Sequence, residues 1–435
     1  MMSTSKTDFE YRPDIDGLIG LAVLAVVIFH AFPDWLPSGF VGVDIFFIIS
    51  GFLITDIIVD EINRGSFSIT RFYSRRVLRI FPALALVLVS CLFVGWFCSL
   101  PHEYKQLGKH VASSSSFISN FIFWQEAGYF DTSAETKPLL HIWSLSIEEQ
   151  FYLIWPLGIW VMYRWRKYIF TLTILAIVAS ITYSGNLVHQ AEHVKDFYSP
   201  LSRSWELLLG VLLALGIASV KRAHPGIHLP LLRRIPIQRF DLYAYKNNLA
   251  QFSSFLGLFI LIVGLILIDQ TKPFPGSWAL FPTLGTALII LGGSHSWINR
   301  NFLSRRTLIN LGLISYPLYL WHWSLLLFAT IVDINPPSNQ LKCILIGISI
   351  ICSALTYKLI EQPIRFGQHL KIKTLSLISI TILIGTAGYQ TYINDGFVFR
   401  SPNPSAQMIL DATEPTEIRA SAWIMRITPR NKTLS

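Results

Sequence analysis

Long apolar runs recur along this 435-residue chain, and they restrict its fold more than any other feature of the sequence. A helix needs roughly 20 predominantly apolar residues to cross a bilayer. The runs that approach this length lie near residues 16–34, 40–60, 79–100, 142–163, 168–187, 204–220, 252–269, 277–293, 308–331, 340–360 and 373–393. We therefore predict an all-α fold, a polytopic bundle of about eleven transmembrane helices.

The composition excludes an ordinary soluble domain. Hydrophobic residues make up 52% of the chain and charged residues only 14%, whereas about 25% of a typical soluble domain is charged. A soluble fold would leave too much apolar surface in water. The short apolar run 117–124 cannot cross a bilayer, and we expect it to lie in the interface or to re-enter the membrane.

Lysine and arginine are concentrated in alternate connections, after the second, fourth, sixth, eighth and tenth runs. Because cytoplasmic loops carry an excess of these residues, the pattern places the N-terminus in the cytoplasm. Eleven crossings then place the C-terminus in the periplasm. The net charge of +9 is thus mostly a consequence of topology, and no nucleic-acid partner is expected.

Three arginines stand at the predicted cytoplasmic end of the third run, namely Arg75, Arg76 and Arg79. Arg75 and Arg79 are four residues apart, so they project from one helix face. They fit a positive anchor of the helix, which needs no further function. They also fit a clamp for an anion, because guanidinium groups bind phosphate oxygens in pairs.

A second set of ionisable residues lies towards the predicted outer side. His30 stands inside an apolar run, where a charged side chain costs roughly 2.5–3.5 kcal/mol at the bilayer centre, so such a residue indicates function. The others are Asp44, His141, Glu148, Arg203, Glu206 and His322. Each alone could be a structural residue of the interface. Together they suggest a histidine general base with carboxylate neighbours.

These two groups leave two functions open. One is an enzyme that takes a phosphorylated donor from the cytosol and acts on an acceptor at the outer leaflet. The other is a proton-coupled transporter of an anion. The residues by themselves do not decide between them.

Seven motifs resemble those of the acyltransferase 3 family of integral membrane O-acyltransferases, which acetylate O-antigens, exopolysaccharides and related glycans. The motifs run in family order over residues 11 to 366. They are YRPDIDGL with His30, FVGVDIFFIISGFLIT, FYSRRVLRIFPAL, HIWSLSIEEQFYLIWP, SRSWELLLG, ISYPLYLWHW and IEQPIR.

The resemblance implies an acyl-CoA donor, usually acetyl-CoA, a glycan hydroxyl as acceptor, and a place in the bacterial inner membrane in contact with lipid. It makes His30 the catalytic base and implies that the three arginines hold the CoA phosphates. By the same resemblance, the supporting catalytic residues are Asp44, His141 and Glu148, and the substrate-binding residues are Arg203, Glu206 and His322. No metal is expected. A transporter or flippase of acyl groups or lipid-linked glycan is the alternative.

The chain departs from the family pattern at two positions. Ile19 stands where the family usually has an arginine, and since isoleucine binds no anion, a catalytically impaired member is a second alternative. Arg12 could replace that arginine only if the chain bends suitably. Ser324 stands where relatives often have proline.

The resemblance also predicts the domain organisation. We expect a membrane acyltransferase domain over residues 11–366, an additional transmembrane helix over 372–393, and a short periplasmic tail over 394–435. Many relatives continue after this helix into an SGNH-hydrolase-like domain, so the chain is expected to be a shortened form. A separate SGNH-type or glycan-assembly protein would then be a partner.

Overall fold

A computed structural model describes residues 11–127, 137–162, 168–222, 242–269, 271–332, 337–366 and 369–400, and within these ranges it contains helices and no strands. The helices are α1 (Pro13–Ala31), α2 (Gly42–Asn63), α3 (Ile69–Cys98), α4 (Pro101–Ser115), α5 (Ser119–Glu126), α6 (Ile142–Met162), α7 (Ile169–His189), α8 (His193–Tyr198), α9 (Pro200–Arg222), α10 (Leu242–Leu267), α11 (Leu280–Gly292), α12 (Arg306–Leu313), α13 (Ser315–Val332), α14 (Asn339–Leu355), α15 (Gln362–Arg365) and α16 (Leu370–Ile393). Residues 401–435 of the expected tail lie outside the described part.

Each predicted run corresponds to a helix or a pair of helices. In the described ranges, eight helices are long and apolar enough to cross a membrane, and α12 with α13 form a ninth candidate that bends by 69°. The remaining two runs are α6, which carries Glu148 and Glu149, and the shorter apolar segment Gly276–Gly292. The all-α polytopic membrane fold is thus confirmed. The count of eleven and the orientation of the termini stay predictions.

The chain divides into two compact units, the first made of Met1–Tyr73 with Ile147–Tyr319 and the second of Ser74–Ser146 with Leu320–Ser435. In the first unit, α2 and α9 pack closely where Gly51 faces Leu207 and Gly210 faces Ile48. A Cβ atom at either glycine would overlap a backbone carbonyl oxygen of the facing helix. Small residues allow such close approach between membrane helices.

In the second unit, α4 packs against α16 in the antiparallel sense. Gly108 meets Gly388, while Gly396 lies against Pro101 at one end of α4 and Gly385 against Ser115 at the other. The short run predicted at 117–124 corresponds to α5, whose eight residues are too few to cross a bilayer. Helix α4 was not predicted, because its sequence mixes polar and apolar residues.

Candidate active site

The first unit contains a buried ion cluster formed by α2 and α9. Asp44 lies in the first turn of α2. Arg203 reaches it with Nη2 at 3.1 Å from Oδ1, and Nη1 of Arg203 lies 3.1 Å from Oε1 of Glu206. All three side chains are buried, with at most 1% of their surface exposed. The close packing of α2 on α9 brings these charges together.

Aromatic rings surround the guanidinium of Arg203. Its Cζ lies 5.4 Å from the ring centre of Phe47, 5.9 Å from that of Phe197 and 5.6 Å from that of Phe274. Rings of this kind attract a cation through their quadrupole and exclude water. Charges withdrawn from water are tolerated only when they are well paired, so the cluster is a preassembled unit.

Asp196 is a further buried acid beside this cluster, and no sequence pattern indicated it. It lies in α8, outside the membrane-spanning segments. Burial raises the pKa of its carboxyl group and outweighs the hydrogen bond from Ser184 and the charge of Arg203, which both lower it. Asp196 is therefore harder to ionise than an exposed aspartate.

Glu148 is held on the first unit through α2. Its Oε1 accepts a hydrogen bond from Ser50 Oγ at 3.1 Å, and its Oε2 accepts one from Tyr152 OH at 3.5 Å. One turn after Tyr152 on α6, Trp155 Nε1 donates a hydrogen bond to Thr55 Oγ1 of α2 at 2.9 Å. These bonds fix α6 on α2 and orient the Glu148 carboxylate.

His30 lies in the last turn of α1 and is half-buried. Its ring centre is 5.3 Å from that of Phe29. Phe29 contacts Phe40 at 5.3 Å, and Phe40 contacts Phe274 at 4.8 Å. A series of aromatic contacts thus joins the surroundings of His30 to those of Arg203.

Two histidines meet in the second unit. The ring centres of His141 and His322 lie 5.8 Å apart with the planes at 72°, and both side chains are buried. The residues on either side of His322 form hydrogen bonds to neighbouring segments. Trp321 Nε1 donates to Thr356 Oγ1 at 3.1 Å, and Ser324 Oγ donates to the Pro138 carbonyl oxygen at 3.0 Å. A proline in place of Ser324 could not make the second bond.

The three predicted arginines lie within α3, because this helix begins at Ile69 rather than near residue 79. Two residues from the IEQPIR motif join them. Glu361 is buried and lies within electrostatic range of Arg79 and Arg365. Arg365 is in turn within range of Arg76. Sequence reasoning missed both residues, although it had singled out their motif.

Ile19 is an apolar packing residue in this chain. It is partly buried and packs against the hydrophobic core of the first unit. Arg12 does not take the place of the expected arginine, because it binds both carboxylate oxygens of Asp14 at 2.8 and 2.6 Å. Asp14 also accepts a hydrogen bond from Asn299 Nδ2 at 2.8 Å.

The structure thus brings together Asp44, Arg203 and Glu206 in the first unit and pairs His141 with His322 in the second. It places His30 and Glu148 in the first unit, and the arginines in the second. Among the residues that the structure describes, no group of three His, Cys, Asp or Glu side chains could hold a metal ion. The catalytic and binding roles of these residues stay predictions.

Three relatives illustrate what the chain is similar to. YrhL of Bacillus subtilis is 33% identical over 365 residues, which are 82% of this chain and 55% of that protein. Peptidoglycan O-acetyltransferase OatA of Listeria monocytogenes is 30% identical over 373 residues, 84% of this chain and 57% of that protein. O-acetyltransferase OatA of Staphylococcus aureus is 30% identical over 366 residues, with shares of 82% and 57%.

The chain therefore spans little more than half the length of these curated relatives. No solved structure shows significant similarity to it. A family model described as an acyltransferase domain matches residues 12–358. The match includes parts of both units and six of the seven motifs apart from Tyr11, and the seventh motif, IEQPIR, begins two residues beyond it. The chain belongs to the acyltransferase 3 family.

Proposed function

We propose that this chain is a multi-pass enzyme of the bacterial inner membrane that transfers an acyl group, usually acetyl, from cytosolic acyl-CoA to a hydroxyl of a cell-surface glycan. The observation that carries the proposal is the family match over residues 12–358. The names of two relatives support it, since OatA of Listeria and OatA of Staphylococcus are both called O-acetyltransferases.

The acceptor to test first is peptidoglycan. The Listeria relative is named for that substrate, whereas the motifs alone suggested an O-antigen or an exopolysaccharide. All three offer sugar hydroxyl groups, so the proposed chemistry is the same for each. The identity of the glycan decides which cell fraction should carry the ester.

The arginines of the second unit suit the phosphates of CoA, because guanidinium groups form strong bidentate bonds with phosphate oxygens. Thr356, which is bonded to Trp321 beside His322, and Arg365 lie nine residues apart on one helical segment. At the 1.5 Å rise per residue of an α-helix this separation would be about 13 Å, and it is shorter here because residues Thr356–Glu361 form π-helical turns. This length of the segment is available to a donor bound by its phosphates at the arginines.

The proposed reaction is direct transfer. His30 accepts the proton of the acceptor hydroxyl as the oxygen attacks the thioester carbonyl carbon. The new C–O bond forms, the C–S bond breaks, and the proton ends on the sulfur of free CoA. A histidine suits this role because its ordinary pKa, about 6.5, lies near neutral pH.

The test compares glycan acetyl esters, measured by mass spectrometry, in bacteria with and without the gene. We expect a mass increase of one acyl group per modified sugar with the gene, and its loss in His30→Ala. The control is His295→Ala, since His295 is exposed and should not affect the ester. An unchanged ester content in His30→Ala would remove His30 as the base. Glycan movement without any acyl-CoA consumption would favour a transporter instead.

A further inference from the structure

The second unit also contains a compact ionic cluster to which no role has yet been assigned. Glu126, at the end of α5, is bound by three basic side chains: Lys109 Nζ at 2.8 Å, His110 Nε2 at 2.9 Å and Lys137 Nζ at 3.3 Å. We call these four residues the Glu126 cluster. His110 is 1% exposed and Lys137 is 5% exposed, so the cluster is largely withdrawn from solvent.

The charges of the Glu126 cluster are fixed over the physiological pH range. Burial raises the pKa of Glu126, but the hydrogen bond and charge of His110 and the contact with Lys109 outweigh it and lower that pKa to about 2. Burial lowers the pKa of His110, which outweighs the bond to Glu126. At neutral pH the carboxylate is therefore ionised and His110 is neutral. Glu126 acts as a permanent acceptor for the lysines.

Lys137 connects the Glu126 cluster to the histidine pair. Its side chain binds Glu126, while its backbone carbonyl oxygen accepts a hydrogen bond from Trp323 Nε1 at 3.0 Å. The next carbonyl, that of Pro138, accepts the bond from Ser324. Glu126 thus anchors the first residue of segment 137–141. The hydrogen bonds from Trp323 and Ser324 hold the same segment beside His322. Its last residue is His141.

We propose that Glu126 is a positioning residue that sets the geometry of the His141–His322 imidazole pair during acyl transfer, an inference that rests on the proposed function. The carboxylate fixes Lys137, Lys137 fixes the start of segment 137–141, and that segment presents the His141 ring to His322. Misplacing a catalytic group by about 1 Å can reduce a rate about a hundredfold. Supporting contacts of this kind therefore determine activity as well as stability.

The test uses Glu126→Gln, which keeps the size of the side chain and removes its charge. We expect kcat to fall at least about tenfold, because the imidazole pair loses its alignment. The KM for acetyl-CoA should stay unchanged, since the arginines are untouched. The imidazole signals of His141 and His322, read by NMR with isotope-labelled histidine, should shift.

The control is Asp395→Asn. Asp395 forms an ion pair at 2.7 Å with Lys105, which lies on the same helix as Lys109, one turn away, but this pair is more exposed. The control should change neither kcat nor the imidazole signals. Ser324→Ala removes one of the two hydrogen bonds that hold segment 137–141 beside His322, and it should shift the same two signals.

Two results would overturn the positioning role. One is an unchanged pair of imidazole signals in Glu126→Gln, whatever the result for Ser324→Ala. The other is an equal effect of Glu126→Gln and Asp395→Asn, which would show a general effect of losing an ion pair. If the unaltered chain transfers no acyl group, the proposed function fails, but the NMR comparison still decides whether Glu126 positions the two rings.

Discussion

Replacing Arg203 by methionine tests whether the ion cluster of the first unit is a preassembled part of the fold. Methionine is similar in length to the arginine stem and carries no charge. The substitution would leave Asp44 and Glu206 buried without their cation, although each now lies 3.1 Å from it. The neighbouring Asp196 is itself an acid, so it cannot replace the lost positive charge.

The expected cost follows from this geometry. Removing one partner of a buried ion pair typically costs 3–5 kcal/mol, because an uncompensated charge stays behind. Arg203 also loses its contacts with three aromatic rings, each worth about 0.5–2 kcal/mol when desolvated. We therefore expect Arg203→Met to lower the free energy of unfolding by at least about 3 kcal/mol.

The assay is unfolding in mixed detergent micelles, followed by tryptophan fluorescence. Two further variants complete the comparison. Arg305 is exposed, so Arg305→Met should change the free energy of unfolding by less than about 0.5 kcal/mol. The neutral triple variant Asp44→Asn, Arg203→Met, Glu206→Gln leaves no buried charge of the three, and it should be more stable than Arg203→Met alone.

A cost below about 1 kcal/mol for Arg203→Met would refute this reasoning, because a well-paired buried arginine cannot be removed so cheaply. A triple variant as unstable as the single variant would also refute it, since the loss would then not come from unpaired charge. If Arg203 instead binds the acceptor glycan, the substitution should raise the acceptor KM without lowering the stability of the protein.

Three more predictions follow from particular contacts. Gly210→Ala should destabilise the protein by about 1–3 kcal/mol in the same unfolding assay, because the new methyl group meets the backbone of α2. The control is Gly216→Ala on the same helix, where a methyl group has open space. It should be neutral or stabilising by up to about 1 kcal/mol. The lowered pKa of Glu126 means that its contribution to stability is complete above about pH 4.5 and is lost as the pH falls towards 2. The free energy of unfolding measured against pH should therefore decline less steeply over this range in Glu126→Gln than in the unaltered chain. Arg79→Gln should raise the KM for acetyl-CoA about tenfold through one lost charge-assisted bond, while Arg305→Gln should leave it unchanged in steady-state kinetics.

The sequence predicted the helices of the membrane part because a span is defined by local apolar length. It also placed Asp44, Arg203 and Glu206 in one group of ionisable residues towards the outer side, but it did not predict that Arg203 contacts both carboxylates. The bend between α12 and α13 was not predicted. Neither was α4, whose mixed sequence becomes helical against α16 through the close approach of Gly108 and Gly388.

The Glu126 cluster shows what sequence reasoning could not reach. Its members belong to three separate stretches of chain, and no fixed spacing relates Lys109, Glu126 and Lys137. Taken alone, each residue has the pattern of an ordinary polar residue of a loop or an interface. Only the tertiary fold places three basic groups on one carboxylate. Asp196 escaped notice for the same reason, because the sequence around the short helix α8 is polar and the burial of Asp196 depends on packing.

The most direct test of the proposed function follows the acyl group itself. The chain is reconstituted into sealed vesicles, isotope-labelled acetyl-CoA is supplied on the side that exposes the arginines, and a peptidoglycan fragment is supplied on the other side. We expect labelled O-acetyl ester on the fragment, formed in equal amount with free CoA, and neither product with His30→Ala. Label that appears on the fragment without release of CoA, or equal transfer by His30→Ala, would contradict the proposal.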